Sequence, residues 1–400
     1  MIPDKQIRLL ADRMVSWQTP YGRPDPATCP FIETGTLVNS MNFHSPTFMA
    51  IGLYMAHDIV GESSYKEAAD RYITAYLACL RNPQHRPDFY TQTWLKHVEK
   101  NGAVTPEIRQ WAINILTWPF IYGMALAAYR CFREHNPYEL AMESMASAIY
   151  EWLQHWRWDE GSYYRVGYGY LQRCVIDMGN SDDLCHVGRG LIGYHRTTGR
   201  RDALADAEAL AKYFLNEFKP GTYEGCWSSQ LGTWLINPTT IEGSEHFSSG
   251  KGCEKAWGFS SVGSIEYLTE LGAVSKDQHL RTQIAQKCAS SMKWHFDACQ
   301  FDDGALGMRE QDDRWLGMTA GAIMSFIRVR DAGFLSAQDA STYGNRARAA
   351  REWLLKHVTP DAIDSGGYLN VTGQSAPKPL DNLAWLFGLT LQGLCMLGRL

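Results

Sequence analysis

A chain of 400 residues that is 45% hydrophobic and 20% charged has ample material for a large core. Its net charge of −5 gives no general attraction for nucleic acid or anionic lipid, so neither nucleic acid nor membrane is an expected partner. Ten cysteines without a CxxC pair indicate free thiols, and the charged start MIPDKQIRLLADRM has no signal-peptide core. A cytoplasmic location is therefore expected, with export behind a removed signal as the alternative.

Apolar periodicity predicts helices, in chain order, over 4–18, 45–60, 63–81, 106–134, 137–156, 182–198, 202–217, 256–271, 276–297, 317–332, 337–357 and 380–398. The uncharged run from Trp111 to Tyr129 has the length of a membrane span. Its periodicity, with Asn114 and Pro119, instead reads as a helix buried on all sides. Within the loop 157–181, SYYRVGYGYLQ alternates like a short hairpin.

The connections follow a rule: those after even-numbered helices are short, those after odd-numbered helices long, and long loops inside a compact domain are usually functional. Even-numbered helices carry few charges, whereas 63–81, 202–217 and 337–357 are striped. The pattern predicts an all-α fold, a single (α/α)6 toroid domain over 1–400 built from six helical hairpins. Even helices form the inner ring, and the long loops, with some short β segments, gather at one rim beside the N-termini of the inner helices.

An internal repeat supports this. Shifting residues 42–77 by 138 positions superposes Asn42 on Asn180, Gly52 on Gly190, Leu53 on Leu191, His57 on His195, Gly61 on Gly199, Ala69 on Ala207 and Leu77 on Leu215, without a gap. Gly263, Leu268 and Gly272 fit the same frame, and Gly272 is expected to end one helix before Asp277 and Leu280 start the next.

The rim is where chemistry is expected. Helix N-termini carry partial positive charge and free N–H groups, which suits an anionic or hydroxyl-rich ligand. Tyr163, Tyr164, Tyr168, Trp227, Trp234, Trp257 and Trp315 supply aromatic faces for sugar rings, or packing for long loops. Carboxylates there are Asp182 and Asp183, Glu242 and Glu245, Asp302 and Asp303, and Asp312 and Asp313. Glycosidic cleavage needs a proton donor and commonly a second carboxylate whose pKa is held apart from the first. Asp182 and Asp183 can divide those tasks, one capping the helix and the other facing substrate.

An Asp opening the third inner helix, sixteen residues before the glycine of a Thr-Gly turn, resembles the unsaturated glucuronyl hydrolases and their rhamnogalacturonyl relatives. Here Asp183 precedes Gly199 of Thr198-Gly199 by that spacing. The resemblance implies that Asp183 protonates the C4=C5 double bond of an unsaturated uronic acid and then assists the addition of water. It implies an oligosaccharide or polysaccharide substrate and no cofactor. Of the family's next inner-helix motif only Ala256-Trp257 is present, and its arginine is missing. Asn180, Arg189, Trp227, Trp257, Arg309 and Trp315 are the candidate binding residues for this reading.

A second chemistry is elimination. Asn42, Phe43 and His44 resemble the Asn-His segment of toroidal polysaccharide lyases such as the alginate lyases. That implies Asn42 neutralising the uronate carboxylate, His44 removing the C5 proton, and Tyr163, Tyr164 or His246 as acid. A sugar 2-epimerase and a non-catalytic carbohydrate-binding toroid are further alternatives. Cys185, His186, Cys226, His246 and Cys253 are zinc-type ligands, but their order does not fit the toroidal lanthipeptide cyclases, so no metal is expected.

Overall fold

The computed structural model describes residues 3–20, 45–80, 119–154, 181–219, 225–235, 256, 258–308, 313–364, 368–369 and 384–400. Helices dominate them: α1 (Asp4–Ser16), α2 (Ser45–Val60), α3 (Ser63–Leu80), α4 (Pro119–His135), α5 (Glu143–Gln154), α6 (Ser181–Thr198), α7 (Arg201–Leu215), α8 (Gly258–Val274), α9 (Gln278–Cys299), α10 (Leu316–Asp331), α11 (Ala337–His357), α12 (Pro360–Asp364) and α13 (Ala384–Met396). The predicted start of the helix over 106–118 and the hairpin within 157–181 lie outside the described residues. No described helix is long and apolar enough to cross a membrane.

Contacts divide the chain into two compact units. One comprises Met1–Thr34, Asn39–Tyr76 and Cys288–Leu400; the other comprises Gly35–Val38 and Leu77–Lys287. In the first unit α10, α13 and α2 pack side by side in that order. Every residue of α10 from Leu316 to Ile327 is buried, as expected for an inner helix that is apolar all round. α11 is striped instead, burying Gly344, Ala347, Ala350, Trp353 and Leu354 on one face. In the second unit α4, α6 and α8 form the corresponding series, and striped α7 lies outside them against α6.

Glycines set the spacing of both series. A Cβ built on Gly190 of α6 would lie 2.2 Å from the Gly123 carbonyl oxygen of α4, and one built on Gly123 would lie 2.5 Å from the His186 oxygen. Here the two backbones touch. In the first unit a Cβ on Gly388 of α13 would meet the Phe48 carbonyl carbon of α2 at 2.6 Å, and one on Gly393 would meet the Ala320 Cβ of α10 at 2.6 Å.

The repeat holds at the level of single bonds. Gly61 and Gly199 both have φ of 75°. Each donates its N–H to a histidine carbonyl four residues back, His57 or His195, at 2.7 Å. The two imidazoles then reach forward in the same way, His57 Nδ1 to the Glu62 oxygen at 2.9 Å and His195 Nδ1 to the Arg200 oxygen at 2.8 Å. Glycine is required because the left-handed conformation closes these helices.

Three expectations need correction. Gly272 does not end a helix; it is buried inside α8, which runs on to Val274. Asp277 does start the next helix, its Oδ1 accepting from the His279 and Leu280 amides at 2.8 and 3.0 Å. A glycine stops a helix only where the chain takes positive φ, and apolar packing carries α8 past this one. Second, α5 begins at Glu143 rather than 137, because Arg133 gathers the carbonyls of Asn136, Pro137 and Glu139 and holds that segment in turns. Third, the expected loop 358–379 opens with helix α12, started by Pro360 at its first position and by the Thr359 hydroxyl accepting from the Ala362 amide at 3.2 Å.

The long crossings meet the starts of inner helices within each unit. In the second, β1 (Trp227–Ser228) and β2 (Thr233–Trp234) form an antiparallel hairpin, and Leu235 bridges to Ala256 just before α8. In the first, β3 (Gly307–Met308), β4 (Asp313–Trp315) and β5 (Tyr368–Leu369) form one antiparallel sheet, and β4 leads directly into α10.

Two stability predictions follow from this packing. Gly190→Ala should lower the urea midpoint by the equivalent of about 3 kcal/mol, because an inner helix must move. Gly61→Ala, with open space around it, should cost about 1 kcal/mol from its φ alone; equal losses would contradict the seam. His295 of α9 is fully buried with neither ring nitrogen hydrogen-bonded, and burial pulls its pKa from 6.5 down to about 3. The folded state therefore binds fewer protons than the unfolded state below pH 6.5. Stability should fall as the pH drops from there toward 3, by up to about 1.4 kcal/mol per pH unit, and His295→Phe should remove that part of the slope.

Candidate functional site

α6 starts at Ser181, whose buried hydroxyl donates to the Leu235 carbonyl oxygen at 2.7 Å. This bond fastens the first turn of an inner helix to the strand hairpin. Asp182 and Asp183 are the next two residues of that turn. One turn further along come Cys185 and His186, then Arg189, all within the series α4, α6, α8.

Arg189 is a buried cation, 6% exposed. Its Nη2 lies 2.9 Å from Glu266 Oε1 on α8, and its Nη1 lies 3.2 Å from His186 Nδ1. Glu266 is itself 5% exposed, so each charge neutralises the other away from water. A second pair runs parallel to it, with Arg130 of α4 reaching Glu270, four residues beyond Glu266, at 2.8 Å. The i,i+4 spacing puts both carboxylates on one side of α8. Arg189 thus joins two inner helices and orients an imidazole.

The hairpin is held by its own aromatics. Trp234 is fully buried and its indole N–H donates to the Phe214 carbonyl at 2.8 Å. Trp227 meets Trp234 edge to face, with ring centroids 5.3 Å apart. The Lys287 amine sits 4.0 Å from the Trp227 ring centre. Burial lowers that amine's pKa to about 8, against the opposing pull of Glu217. Both indoles pack within this hairpin.

In the other unit, Trp315 ends β4 and is the residue preceding α10; it is buried, its amide donating to the Leu306 carbonyl at 3.0 Å. Asp303 accepts from Arg314 Nε at 2.8 Å and from the Ala305 amide at 3.1 Å, so it ties the segment between α9 and β3 to β4. Asp302 is exposed in the same segment before β3. Asn42, His44, Asn180, Glu242, Glu245, His246, Trp257, Arg309, Asp312, Tyr163, Tyr164 and Tyr168 lie outside the described residues. Among the described residues no group of three His, Cys, Asp or Glu side chains is arranged to hold a metal ion.

Sequence reasoning missed Glu266 and passed over His186 except as a metal ligand. A signal for Glu266 was present. It is one of two acidic residues in the otherwise uncharged stretch GFSSVGSIEYLTELGAV, and a charge within an all-buried helix needs a buried partner.

No protein-family model matches the chain, and no curated protein matches it in sequence. Solved structures do match it. A sugar epimerase from a ruminal bacterium superposes with a TM-score of 0.63 at 10% identity, covering 100% of this chain and 99% of that one. An α-1,6-mannanase from Salegentibacter sp. HEL1_6 gives 0.58 at 10%, covering 99% of each chain. Its inactive variant, with two adjacent aspartates replaced by asparagine, has been solved in complex with α-1,6-mannotriose. A glycosyl hydrolase family 88 protein from Bacteroides vulgatus gives 0.56 at 12%, covering 98% of each. These are six-hairpin toroid carbohydrate-active enzymes, and the chain has their all-α (α/α)6 fold.

Proposed function

We propose that the chain is a glycoside hydrolase working at the start of α6, with Asp183 as its acid and oligosaccharides bearing an unsaturated uronic acid as its substrates. The observation that carries this reading is the position of Asp182-Asp183 in the first turn of an inner helix, directly after the serine that ties that turn to the strand hairpin. The helix N-terminus stabilises one negative charge there. The reaction asks one aspartate to carry a proton and the other to hold a charge.

In the reaction, the Asp183 proton goes to C4 of the unsaturated uronate and the oxygen of water bonds to C5. The water's second proton returns to the carboxylate. The hydrated sugar opens and releases the rest of the oligosaccharide, so no cofactor is consumed. Anionic substrate is drawn to the partial positive charge of the inner-helix starts.

The paired aspartates of the mannanase favour a second reading, in which the same two residues hydrolyse a neutral α-linked sugar. Substrate choice separates the two, and both place the chemistry on Asp182-Asp183.

Asp183→Asn should reduce turnover of unsaturated uronyl disaccharides, followed by loss of the ultraviolet absorbance of the double bond, by about a hundredfold or more with unchanged circular dichroism. Near-normal turnover in that variant contradicts the proposal. Turnover of α-1,6-mannotriose alone would move the substrate to neutral sugars. A rise in absorbance on saturated polyuronates would make the chain a lyase and remove the hydrolase reading.

A further inference from the structure

We infer that the cavity between the C-terminal ends of α4 and α6 is a second binding site, which takes a small oxyanion: the carboxylate of a single sugar acid, or a free phosphate. It is separate from the proposed reacting end of α6 and does not depend on that reading. Arg196, in the cavity wall, follows Asp182 by fourteen residues, which along a helix is about 21 Å.

The cavity has a volume of about 210 Å³. It is lined by Arg130, Arg133, Glu134 and Pro137 from α4 and the turn after it, and by Arg196 and Thr197 of α6. A water molecule takes roughly 30 Å³, and pockets for drug-sized ligands start at roughly 300 Å³. The space therefore suits one sugar ring or a phosphate, and not an oligosaccharide.

Exposed carbonyls would make two helix C-termini a poor place for an anion. Here they are covered. His135 Nδ1 and Asn136 Nδ2 reach the Cys131 and Phe132 oxygens at 2.7 and 3.1 Å. The Thr197 and Thr198 hydroxyls donate to the Gly193 and Tyr194 oxygens at 2.8 and 2.7 Å, and the Gly199 amide takes the His195 oxygen. Arg133 Nη1 takes the carbonyls of Asn136, Pro137 and Glu139 in the turn beyond. The polar lining of the cavity is left to guanidinium groups.

Arg130 and Arg133 carry the recognition, because residues three apart are neighbours on a helix. Arg130 gives Nε to Glu134 and Nη1 to Glu270, both at 2.8 Å. Capping accounts for Arg133 Nη1 and for nothing else on that side chain, whose buried Nε has no hydrogen-bond partner. Among the described residues neither arginine has an acceptor at Nη2, and no carboxylate pairs with Arg133. Glu134 and Glu270 are matched by Arg130, and Glu139 turns its carboxylate to the Ala141 amide at 3.1 Å. Two adjacent guanidinium groups, each with an unspent Nη2 and one without a counter-ion, form a fork for carboxylate or phosphate oxygens. Arg196 brings a third cation to the α6 wall. Tyr138, which follows Pro137, is 96% exposed, and an aromatic face in that place offers a platform for a sugar ring. It favours the sugar acid of the two sources.

Calorimetric titration of the full chain at low salt tests this, with D-glucuronate, inorganic phosphate and D-glucose as probes. Glucuronate or phosphate should bind, the tighter of the two naming the source, and glucose should not. Arg133→Gln should weaken that binding about tenfold or more, because a charge-assisted hydrogen bond is lost. Thr197→Phe is the second variant, since it adds bulk to the α6 wall while leaving Arg133 and its three carbonyls in place. It should weaken binding by a similar factor with a nearly unchanged urea midpoint. Binding of glucose as tight as that of the anions, no binding of either anion, or anion binding that survives both variants would overturn the assignment. None of these outcomes depends on whether Asp183→Asn abolishes turnover.

Discussion

The structure depends on how closely its inner helices can approach. Ordinary helix pairs stay about 8–10 Å apart because side chains fill the space between axes. At Gly123 and Gly190 no side chain is present, and the two backbones meet directly. That contact fixes α4 against α6, and Gly263, where a Cβ would lie 2.4 Å from Cys185 Sγ, does the same for α8 against α6 on the other flank. With both neighbours set, the first turn of α6 has little freedom, and the Ser181 hydroxyl locks it to the strand hairpin. Asp182 and Asp183 inherit their position from this backbone packing.

The same closeness makes the Arg189–Glu266 pair possible. A buried ion pair is not by itself a source of stability, since desolvation offsets most of the attraction. Its value here lies in direction. Arg189 spans the seam, is held at one end by Glu266 and presents its other nitrogen to His186. Glu270 and Arg130 repeat the arrangement one turn along, tying α8 to α4. A polar ladder therefore runs through helices that are otherwise apolar, and it sits beside the proposed reacting end of α6.

Much of the fold was legible in the sequence because it rests on local patterns. The alternation of short and long connections separated inner from outer helices, and the uniformly apolar run of α10 against the stripe of α11 bears this out. The offset between His57-Gly61 and His195-Gly199 anticipated two turns that match bond for bond. What could not be read locally is what depended on partners far along the chain. Gly272 looks like a stop signal, but neighbours pack around it and the helix continues. The buried pairing of Arg189 with Glu266, 77 residues away, has no local signature either. The start at 137 failed because Arg133, on the preceding helix, captures three carbonyls that periodicity cannot count. Of the candidate site, the aspartate pair and its placement at a helix start were legible; the approach of Arg189 to both Glu266 and His186 was not, since it depends on how α8 packs against α6.

The most direct test of this account is a double-mutant cycle across the α6–α8 seam, measured by urea unfolding of Arg189→Met, Glu266→Met and the double variant. Each single change strands a buried charge and should cost about 3–5 kcal/mol, while the double variant should lose far less than the sum, leaving a coupling above about 2 kcal/mol. Additive or negligible losses would mean that the two residues do not meet between tightly apposed helices, and would contradict the seam on which the position of Asp182 and Asp183 depends.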